Sequence, residues 1–524
     1  MNSFLDRLLS LYNLSLSSYE EMTKDVKDLE LEDYHNFINI DIAEKRIKEA
    51  ISKNEKIMIY GDYDCDGITS TSILVYTFKR LGYDNIGYYI PSRYLDGYGI
   101  NEKMVEAIHK KGYSLIITVD NGVAQFDALK KAKEYNIDVI LTDHHEIKEE
   151  LPICYTIIHP FLKNDGSSLA QCGAYVAFNL SRALLNETDD YLLTLASLAT
   201  ISDMMPLVSH NRNIVRIGLD KAKNGDYLPF KLLLNNEEIN DEKSFSFVCA
   251  PKINSLGRVL ENTNVNKGVE FFVNKDDEMN VAEIARLIEF TNNKRKVISN
   301  EAAMNIDYSK YSDKSFVVDY LKDIQEGLIG LVANKVINEI NKPVVIFTKD
   351  HKSGLLKGSA RSLEGLPLNE IFSKMSDLIV QFGGHAQAGG LAIEENKLDE
   401  FVSRINILAN DYTPIPKKKL IIDCKMEDFT YENYEIIRSL APYGVGFEEP
   451  YLSLIYPCKN INYLKGFQHI KGTINFGCSF IGFNTNKDYG RSGNVKLIGH
   501  LVLDSFRGNK FLSFNVIEVE SINN

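Results

Sequence analysis

The sequence predicts an α/β protein: a doubly wound parallel sheet, a long linking helix, a second and smaller α/β lobe, and a C-terminal β-barrel. Three observations predict it. Over the first two hundred residues, short apolar runs alternate with stretches of helical periodicity, the pattern of βα units in a parallel sheet. Residues 278–306 carry a helical pattern without Pro or Gly. Beyond the polar, Pro-containing segment 413–419 (TPIPKKK) the chain changes to short β-like runs broken by turns.

Taken in order, residues 56–60 (KIMIY), 85–90, 115–119, 139–141 and 155–158 read as buried strands. Residues 68–81, 102–111 and 125–135 read as the helices between them. The 278–306 helix is expected to join the lobes. The second lobe then begins with a strand at 316–318, a helix at 327–340 and a strand at 343–347, followed by a Gly-rich loop, GGHAQAGG, from Gly383. These boundaries predict an N-terminal segment (1–45), a catalytic α/β domain (46–210), a helical connector (211–310), a second α/β domain (311–412) and a β-domain (413–524).

Composition removes several classes. At 524 residues, 44% hydrophobic and 25% charged, the chain reads as a soluble globular protein of about three or four domains. The start MNSFLDRLLSLYN has an early acid and no small-residue cleavage site, so no secretory signal is expected. The longest nearly apolar stretch, 191–201, is too short to cross a bilayer. Seven scattered cysteines with no CxxC pair argue against a disulfide framework or a cysteine zinc site, and for the cytoplasm. The net charge of −13 excludes a uniformly basic nucleic-acid binder. The charge is uneven, however: residues 1–250 hold 26 Lys+Arg against 38 Asp+Glu, whereas 451–510 hold eight Lys+Arg against two Asp.

Several predicted strand ends in the first domain run into acids or imidazoles. KIMIY is followed by Gly61-Asp62-Tyr63-Asp64-Cys65-Asp66-Gly67, LIITV by Asp120-Asn121-Gly122, and VIL by Thr142-Asp143-His144-His145-Glu146; the helix ending near Ile201 is followed by Asp203. Parallel sheets place their ligands at the carboxyl ends of the strands. Carboxylates gathered there are costly unless cations neutralise them, and a carboxylate-rich set with few His favours Mg²⁺ or Mn²⁺ over Zn²⁺. Each piece alone is ordinary: a DxDxDG run also describes a turn or a Ca²⁺ loop, Asp-Asn-Gly is a common turn, and His144-His145 could be a surface pair. An EF-hand would need Glu six residues after its Gly, where this chain has Ile73. It is the order of the pieces along one sheet edge that points to a metal centre.

GDYDCDG, TVDNG, TDHHE and Asp203-Met204-Met205-Pro206-Leu207 resemble the successive motifs of the DHH phosphoesterases, most closely the RecJ-type single-strand-specific exonucleases. The likeness extends over YIPSRYLDGYGI (89–100), CGAYVAFNL from Cys172, Pro251–Arg258, Gly358–Ser362, GGHAQAGG and the PYGVG at Pro442, and so covers roughly residues 40–524. It implies Asp62, Asp64, Asp66, Asp120, His144 and Asp203 as ligands of two Mn²⁺ or Mg²⁺ ions, with Asp62 in a supporting place and Asp120 bridging. His145 would be a catalytic residue behind the metals or facing phosphate. Two such ions roughly 3.5–4 Å apart activate water and stabilise the leaving oxygen in attack on phosphorus. No side-chain nucleophile is then needed, in keeping with the lack of a Ser-His-Asp or Cys-His grouping.

In the second lobe Arg361, with Ser362, and His385, with Gly383 and Gly384, are expected to meet phosphate, and Arg93 and Arg258 are further candidates. Two departures stand out. Ile324-Gln325-Glu326-Gly327 replaces the family's usual Trp-His-Xaa-Gly, and Phe447 stands where Asn commonly follows the PYGVG turn. The resemblance makes the terminal module an OB-fold, whose Lys and Arg alternate with Tyr456, Tyr463, Phe467, Phe476, Phe480 and Phe483; about half of these rings should face the core. The expected activity is exonucleolytic, on single-stranded DNA in repair or recombination, with 5′→3′ polarity and release of mononucleotides implied by the resemblance alone. The alternatives are a phosphodiesterase for short oligonucleotides or cyclic dinucleotides and a non-catalytic DNA-binding scaffold. Single-stranded DNA is the expected partner, with single-strand-binding protein or a helicase as further candidates and no membrane.

Overall fold

The computed structural model describes residues 3–147, 150–239, 241–259, 264–350, 352–506 and 509–522. Two compact units are present, one of residues 32–205 and 218–417, the other of residues 1–31, 206–217 and 418–524.

The first unit opens with a five-stranded sheet of β1 (Ile57–Tyr60), β2 (Ile86–Tyr89), β3 (Leu115–Val119), β4 (Asp138–Thr142) and β5 (Thr156–Ile158). Its order is β2-β1-β3-β4-β5 and every pairing is parallel. β1 and β3 are buried at every residue, as central strands covered on both faces must be. The helix Cys65–Arg80 after β1 leads outward to β2, and the helix Phe126–Glu134 after β3 leads the other way to β4. The winding therefore reverses between β1 and β3, which leaves a crevice at their carboxyl ends. Each expected strand and helix of this domain is found. The helix after β1 starts three residues earlier than its apolar periodicity indicates, because Asp64 caps it: its Oδ1 accepts from the Gly67 N–H at 3.0 Å. That early start carries Asp66 into the first helical turn. The apolar run near 191–201 is a core helix, Asp190–Ser202, buried from Tyr191 to Thr200.

The linking helix spans Glu278–Met304, about 40 Å at 1.5 Å per residue. The second lobe is a sheet of β6 (Val317–Tyr320), β7 (Val344–Lys349), β8 (Leu356–Arg361), β9 (Ile379–Gly384) and β10 (Ala388–Ile393), ordered β6-β7-β8-β10-β9. GGHAQAGG, expected as a loop, is a hairpin instead. Gly383 and Gly384 end β9, and Gly389 and Gly390 pair with Ala360 and Ser359 of β8. Glycine has little strand preference of its own, and the ladder to β8 supplies what local sequence does not.

The second unit holds β11 (Ile421–Cys424), β12 (Tyr451–Pro457), β13 (Asn462–Leu464), β14 (His469–Asn475), β15 (Cys478–Gly482), β16 (Asn494–Phe506) and β17 (Asn509–Ser521). The order is β11-β12-β16-β17-β15-β14-β13, and β12 and β13, which lie near its two ends, are joined by only the short turn Cys458–Asn460, so the sheet curls round. This is the expected OB-type barrel. Of its six named rings, Tyr456 and Phe480 lie in the core, Tyr463 is half-buried, and Phe467, Phe476 and Phe483 are exposed. Arg507, counted among its cations, lies outside the described residues.

The N-terminal segment divides between the units. Phe4 and Leu8 of the helix Phe4–Tyr12 enter the barrel core, and Arg7 pairs with Asp428 at 2.6 Å. The helix Ile40–Ser52 belongs to the first unit. Phe447 finds its reason here: its ring stacks on Tyr12 (4.8 Å) and on Tyr443 (5.6 Å), with the Arg212 guanidinium 5.0 Å from its centre. Aromatic pairs of this kind contribute about 0.5–1.5 kcal/mol each.

Candidate active site

The acids foreseen at the strand ends converge at the crevice. Asp62 and Asp64 follow β1, Asp120 follows β3, His144 follows β4, and Asp203 follows the helix Asp190–Ser202. Asp120 sits at φ +61°, a left-handed conformation that Asp tolerates better than most residues, with its N–H donating to the Thr142 carbonyl at 3.1 Å. Asn121 locks the turn by donating to the carbonyls of Tyr60 (3.2 Å) and Val119 (2.9 Å), so the ends of β1 and β3 are tied together.

Asp66 is gripped by a helix end. Its two oxygens accept from the N–H groups of Gly173 and Ala174, each at 2.7 Å, in the first turn of the helix Gly173–Leu185. Only Gly fits at 173, since a Cβ there would lie 2.6 Å from that of Asp120. Asn254, in the PKINSLGR segment, accepts from the Cys65 N–H at 2.9 Å and fixes the DxDxDG loop from the other side.

Three groups of potential ligand atoms result: Asp62 with Asp64 and Asp120; Asp66 with His144 and Asp203; and Asp120 with His144 and His145. His144 Nε2 lies 3.0 Å from Asp120 Oδ1, 3.5 Å from Asp203 Oδ2 and 3.6 Å from Asp66 Oδ2. Asp120 thus stands between two adjacent clusters. Buried Asp62 Oδ1, Asp120 Oδ1 and Asp203 Oδ2 make no hydrogen bond among the described residues. Burial, and then the neighbouring carboxylates, hold Asp62, Asp120 and Asp203 well above the usual carboxylate range. Burial also lowers the pKa of His144, so its imidazole is neutral and able to ligate. Orphaned carboxylate oxygens beside a neutral imidazole are what a pair of hard divalent cations requires.

In the metal-free protein the raised pKa values mean that the folded state holds more protons than the unfolded one. The site's contribution to stability therefore falls as pH rises from about 4. Adding Mn²⁺ at a hundred times its Kd should stabilise by about 2.7 kcal/mol, which raises Tm by a few degrees. At one fixed Mn²⁺ concentration the increment should be larger at pH 8 than at pH 5, because protons compete with the metal for the carboxylates, measured by differential scanning fluorimetry; an increment independent of pH would contradict this picture of the carboxylates.

His145 differs from His144. Its Nδ1 lies 2.8 Å from Asp143 Oδ1 and 4.0 Å from Asp120 Oδ1, and its side chain is 45% exposed. Burial works against its charge, but the hydrogen bond to Asp143 and that residue's charge prevail and raise its pKa to about 9. Asp143 itself is lowered to about 2: burial opposes this, and His145 overcomes it. Asp143 also accepts from the N–H groups of Val123 (2.9 Å) and His144 (2.7 Å). Without metal, His145 is therefore favoured in its charged form beside the ligand groups, and Asp143 is the residue that sequence reasoning overlooked. Its signal was present, as the first residue of the Asp-His-His run.

The second lobe faces the metal site across a cleft of about 560 Å³. Arg93, Arg258, Arg361 and Lys357 line it, together with Ser359 and Gly383. Arg361 is aimed by its neighbours: Nε donates to Asn334 Oδ1 at 2.7 Å and Nη1 to Ser359 Oγ at 3.1 Å. Arg93 lies 4.3 Å over the Tyr63 ring, with its buried Nε unpaired among the described residues. Ser362 is outside the cleft lining, buried and donating to the Leu366 carbonyl at 2.7 Å; Ser359, on the same strand face as Arg361, takes the place expected of it. Gly384 is committed to the hairpin, and His385 is exposed at its tip with its N–H on the Ala388 carbonyl. Neither is among the lining residues. Glu326, in the altered motif, also lines the cleft.

Residues 56–201 match the DHH family, N-terminal domain, residues 313–411 the DHHA1 domain, and residues 422–518 the RecJ OB domain. The chain is 36% identical over 442 residues to the single-stranded-DNA-specific exonuclease RecJ of Bacillus subtilis; the alignment covers 81% of this chain and 55% of that protein. To the Haemophilus influenzae protein of the same description it is 31% identical over 534 residues, covering 92% of this chain and 91% of the other. The fold is that of the Thermus thermophilus RecJ crystallised with Mn²⁺ (TM-score 0.85, 22% identity, 99% of this chain and 78% of that one). A second manganese-bound exonuclease RecJ matches with TM-score 0.63 at 26% identity, over 76% of this chain and 99% of the other.

Proposed function

The chain belongs to the RecJ family of DHH phosphoesterases, and on that footing we propose that it is a metal-dependent exonuclease that degrades single-stranded DNA 5′→3′ to mononucleotides, in repair or recombination. One observation carries the reading: buried carboxylate oxygens of Asp62, Asp120 and Asp203, without hydrogen bonds among the described residues, meet at a sheet crevice with His144. Asp62, Asp64, Asp66, Asp120, His144 and Asp203 would hold two Mn²⁺ or Mg²⁺ ions, which when bound would supply an activated water and positive charge for the leaving oxygen. The protein's own residues do the rest. Asp66, fixed by the Gly173 and Ala174 N–H groups, keeps its cluster rigid. His145, charged through Asp143, adds a cation where negative charge develops on phosphate.

Across the cleft Arg258, Arg361 and Arg93 offer guanidinium groups to phosphate. A 5′-terminal phosphate carries more charge than an internal one and gains most from them, which supports exonucleolytic attack from that end. The barrel presents Phe467 and Phe483 with the cations Lys465, Lys471 and Lys487, a surface on which bases stack and phosphates pair. All seven cysteines are free, which agrees with a reducing cytoplasm; among the described residues no helix is long and apolar enough to cross a membrane. Single-strand-binding protein or a helicase, as suppliers of single strands, complete the proposal.

A substrate panel tests it. With Mn²⁺, a long 5′-labelled single strand should release labelled mononucleotide from the first turnovers, at least about a hundredfold faster than a blunt duplex of the same sequence. A 3′-labelled strand should instead shorten progressively. Preference for a dinucleotide or cyclic dinucleotide over the long strand would transfer the assignment to the small-substrate phosphodiesterases.

A further inference from the structure

Three distant segments of the first unit meet on one hydroxyl at the cleft. The Tyr94 hydroxyl donates to the Arg258 carbonyl oxygen at 2.6 Å and accepts from the Gly327 N–H at 3.1 Å. The backbone carbonyl of Tyr94 accepts from Lys352 Nζ at 2.5 Å. Arg258 closes the circle, with Nη1 lying 3.4 Å from the Gly327 carbonyl. One residue thus joins the loop after β2, the end of the connector, the start of the helix Glu326–Ile340 and the turn between β7 and β8. The junction has no slack: a Cβ on Gly327 would stand 2.4 Å from the Arg258 carbonyl oxygen and 2.7 Å from the Tyr94 hydroxyl. Arg258 and Glu326-Gly327 line the cleft, so any change at this junction moves a wall of it. It lies at the altered Ile324-Gln325-Glu326-Gly327 motif, where the Trp and His usual in the family are absent.

We propose that Tyr94 is a positioning residue that sets the gap between the two lobes and, through the Arg258 backbone, the placement of the Arg258 guanidinium on the strand's terminal phosphate. This rests on the exonuclease reading above. A half-buried hydroxyl with both a donated and an accepted partner holds two backbones at fixed separation. Removing the hydroxyl leaves the Gly327 N–H and the Arg258 carbonyl without that partner, and the gap is no longer fixed.

The test is Tyr94→Phe in the full chain, which keeps the ring and deletes one oxygen. KM for a 5′-phosphorylated single strand should rise about five- to tenfold, the effect of a net hydrogen bond, while kcat stays within about twofold. Discrimination between 5′-phosphate and 5′-hydroxyl ends should narrow by the same factor. In an Arg258→Ala background Tyr94→Phe should add no further rise in KM, because both act through one contact. Lys352→Met, which cuts the tie to the Tyr94 carbonyl from an exposed position, should shift KM the same way by less. Additive effects of Tyr94→Phe and Arg258→Ala, or a lowered Tm with unchanged KM, would overturn the proposal and leave Tyr94 a stabilising contact only. If the wild-type enzyme does not distinguish the two ends and Arg258→Ala leaves KM unchanged, the terminal-phosphate reading has failed and this inference falls with it.

Discussion

Asp120→Asn should reduce strand degradation by at least about a thousandfold, some 4 kcal/mol of transition-state stabilisation, while the protein remains folded. Asp120 belongs to two of the three groups of potential ligand atoms and is 2% exposed, with one buried oxygen lacking a hydrogen bond among the described residues. Its amide replacement has nearly the same shape but no charge to share between two cations. The stability effect has the opposite sign. Burial, followed by Asp66, Asp64, Asp62 and Asp203, makes the Asp120 charge unfavourable in the metal-free protein. The neutral variant should therefore melt higher than wild type in EDTA, and it should gain less when Mn²⁺ is added. Activity within tenfold of wild type would refute Asp120 as a metal ligand. A lowered melting temperature in EDTA would mean that its loss of activity reflects damage to the fold.

Asp143→Asn should have the second-largest effect, and it should depend on pH. Asp143 holds the His145 pKa at about 9. Without that carboxylate the imidazole should lose its charge at lower pH than in wild type, so the alkaline limb of the kcat profile should move to lower pH in the variant. At pH 6 the variant should recover to within a few-fold of wild type. Bound cations move both profiles toward lower pH, and the separation between wild type and variant is the readout. The pairing also contributes to stability: the His145 part is fully present below about pH 6.5 and is lost as pH rises through about 9. A variant with an unshifted alkaline limb would show that the His145 charge plays no part in the rate.

The proposed metal ligands were legible as candidates in the sequence because most of them lie within a few residues of the end of an apolar run. The strands buried on both faces, β1 and β3, announce themselves by unbroken hydrophobicity, and the residues at their carboxyl ends must lie at the crevice. Asp143 was harder to see because it shares its run with two imidazoles, and only geometry separates the residue that binds from the one that orients. The second lobe was read less well. GGHAQAGG lacks the alternation that marks a strand, and its conformation comes from pairing with β8, more than twenty residues earlier in the chain. The confusion of Ser362 with Ser359 has the same origin: without knowing that β8 runs through Arg361, the two-residue period placing Ser359 beside Arg361 is invisible. The place of the N-terminal helix in the barrel core was beyond sequence reasoning, since Arg7 and Asp428 are separated by 421 residues. Phe447, a departure from the family pattern, is explained only once Tyr12 and Tyr443 are seen on its two faces.

The acidic total sharpens into a statement about place. Part of the −13 is the proposed ligand set itself, while Arg93, Arg258, Lys357 and Arg361 line the cleft and residues 451–510 carry eight Lys+Arg against two Asp. On the function proposed above, the buried carboxylates of the crevice hold two divalent cations for hydrolysis of single strands. The direct measurement is Mn²⁺ titration of EDTA-stripped protein with a long 5′-labelled single strand, with metal content determined in parallel. Mononucleotide release should be absent without metal, reach its full rate as occupancy approaches two ions per chain, and be restored by Mg²⁺ as well. Undiminished strand degradation by the stripped protein in excess EDTA would contradict that function.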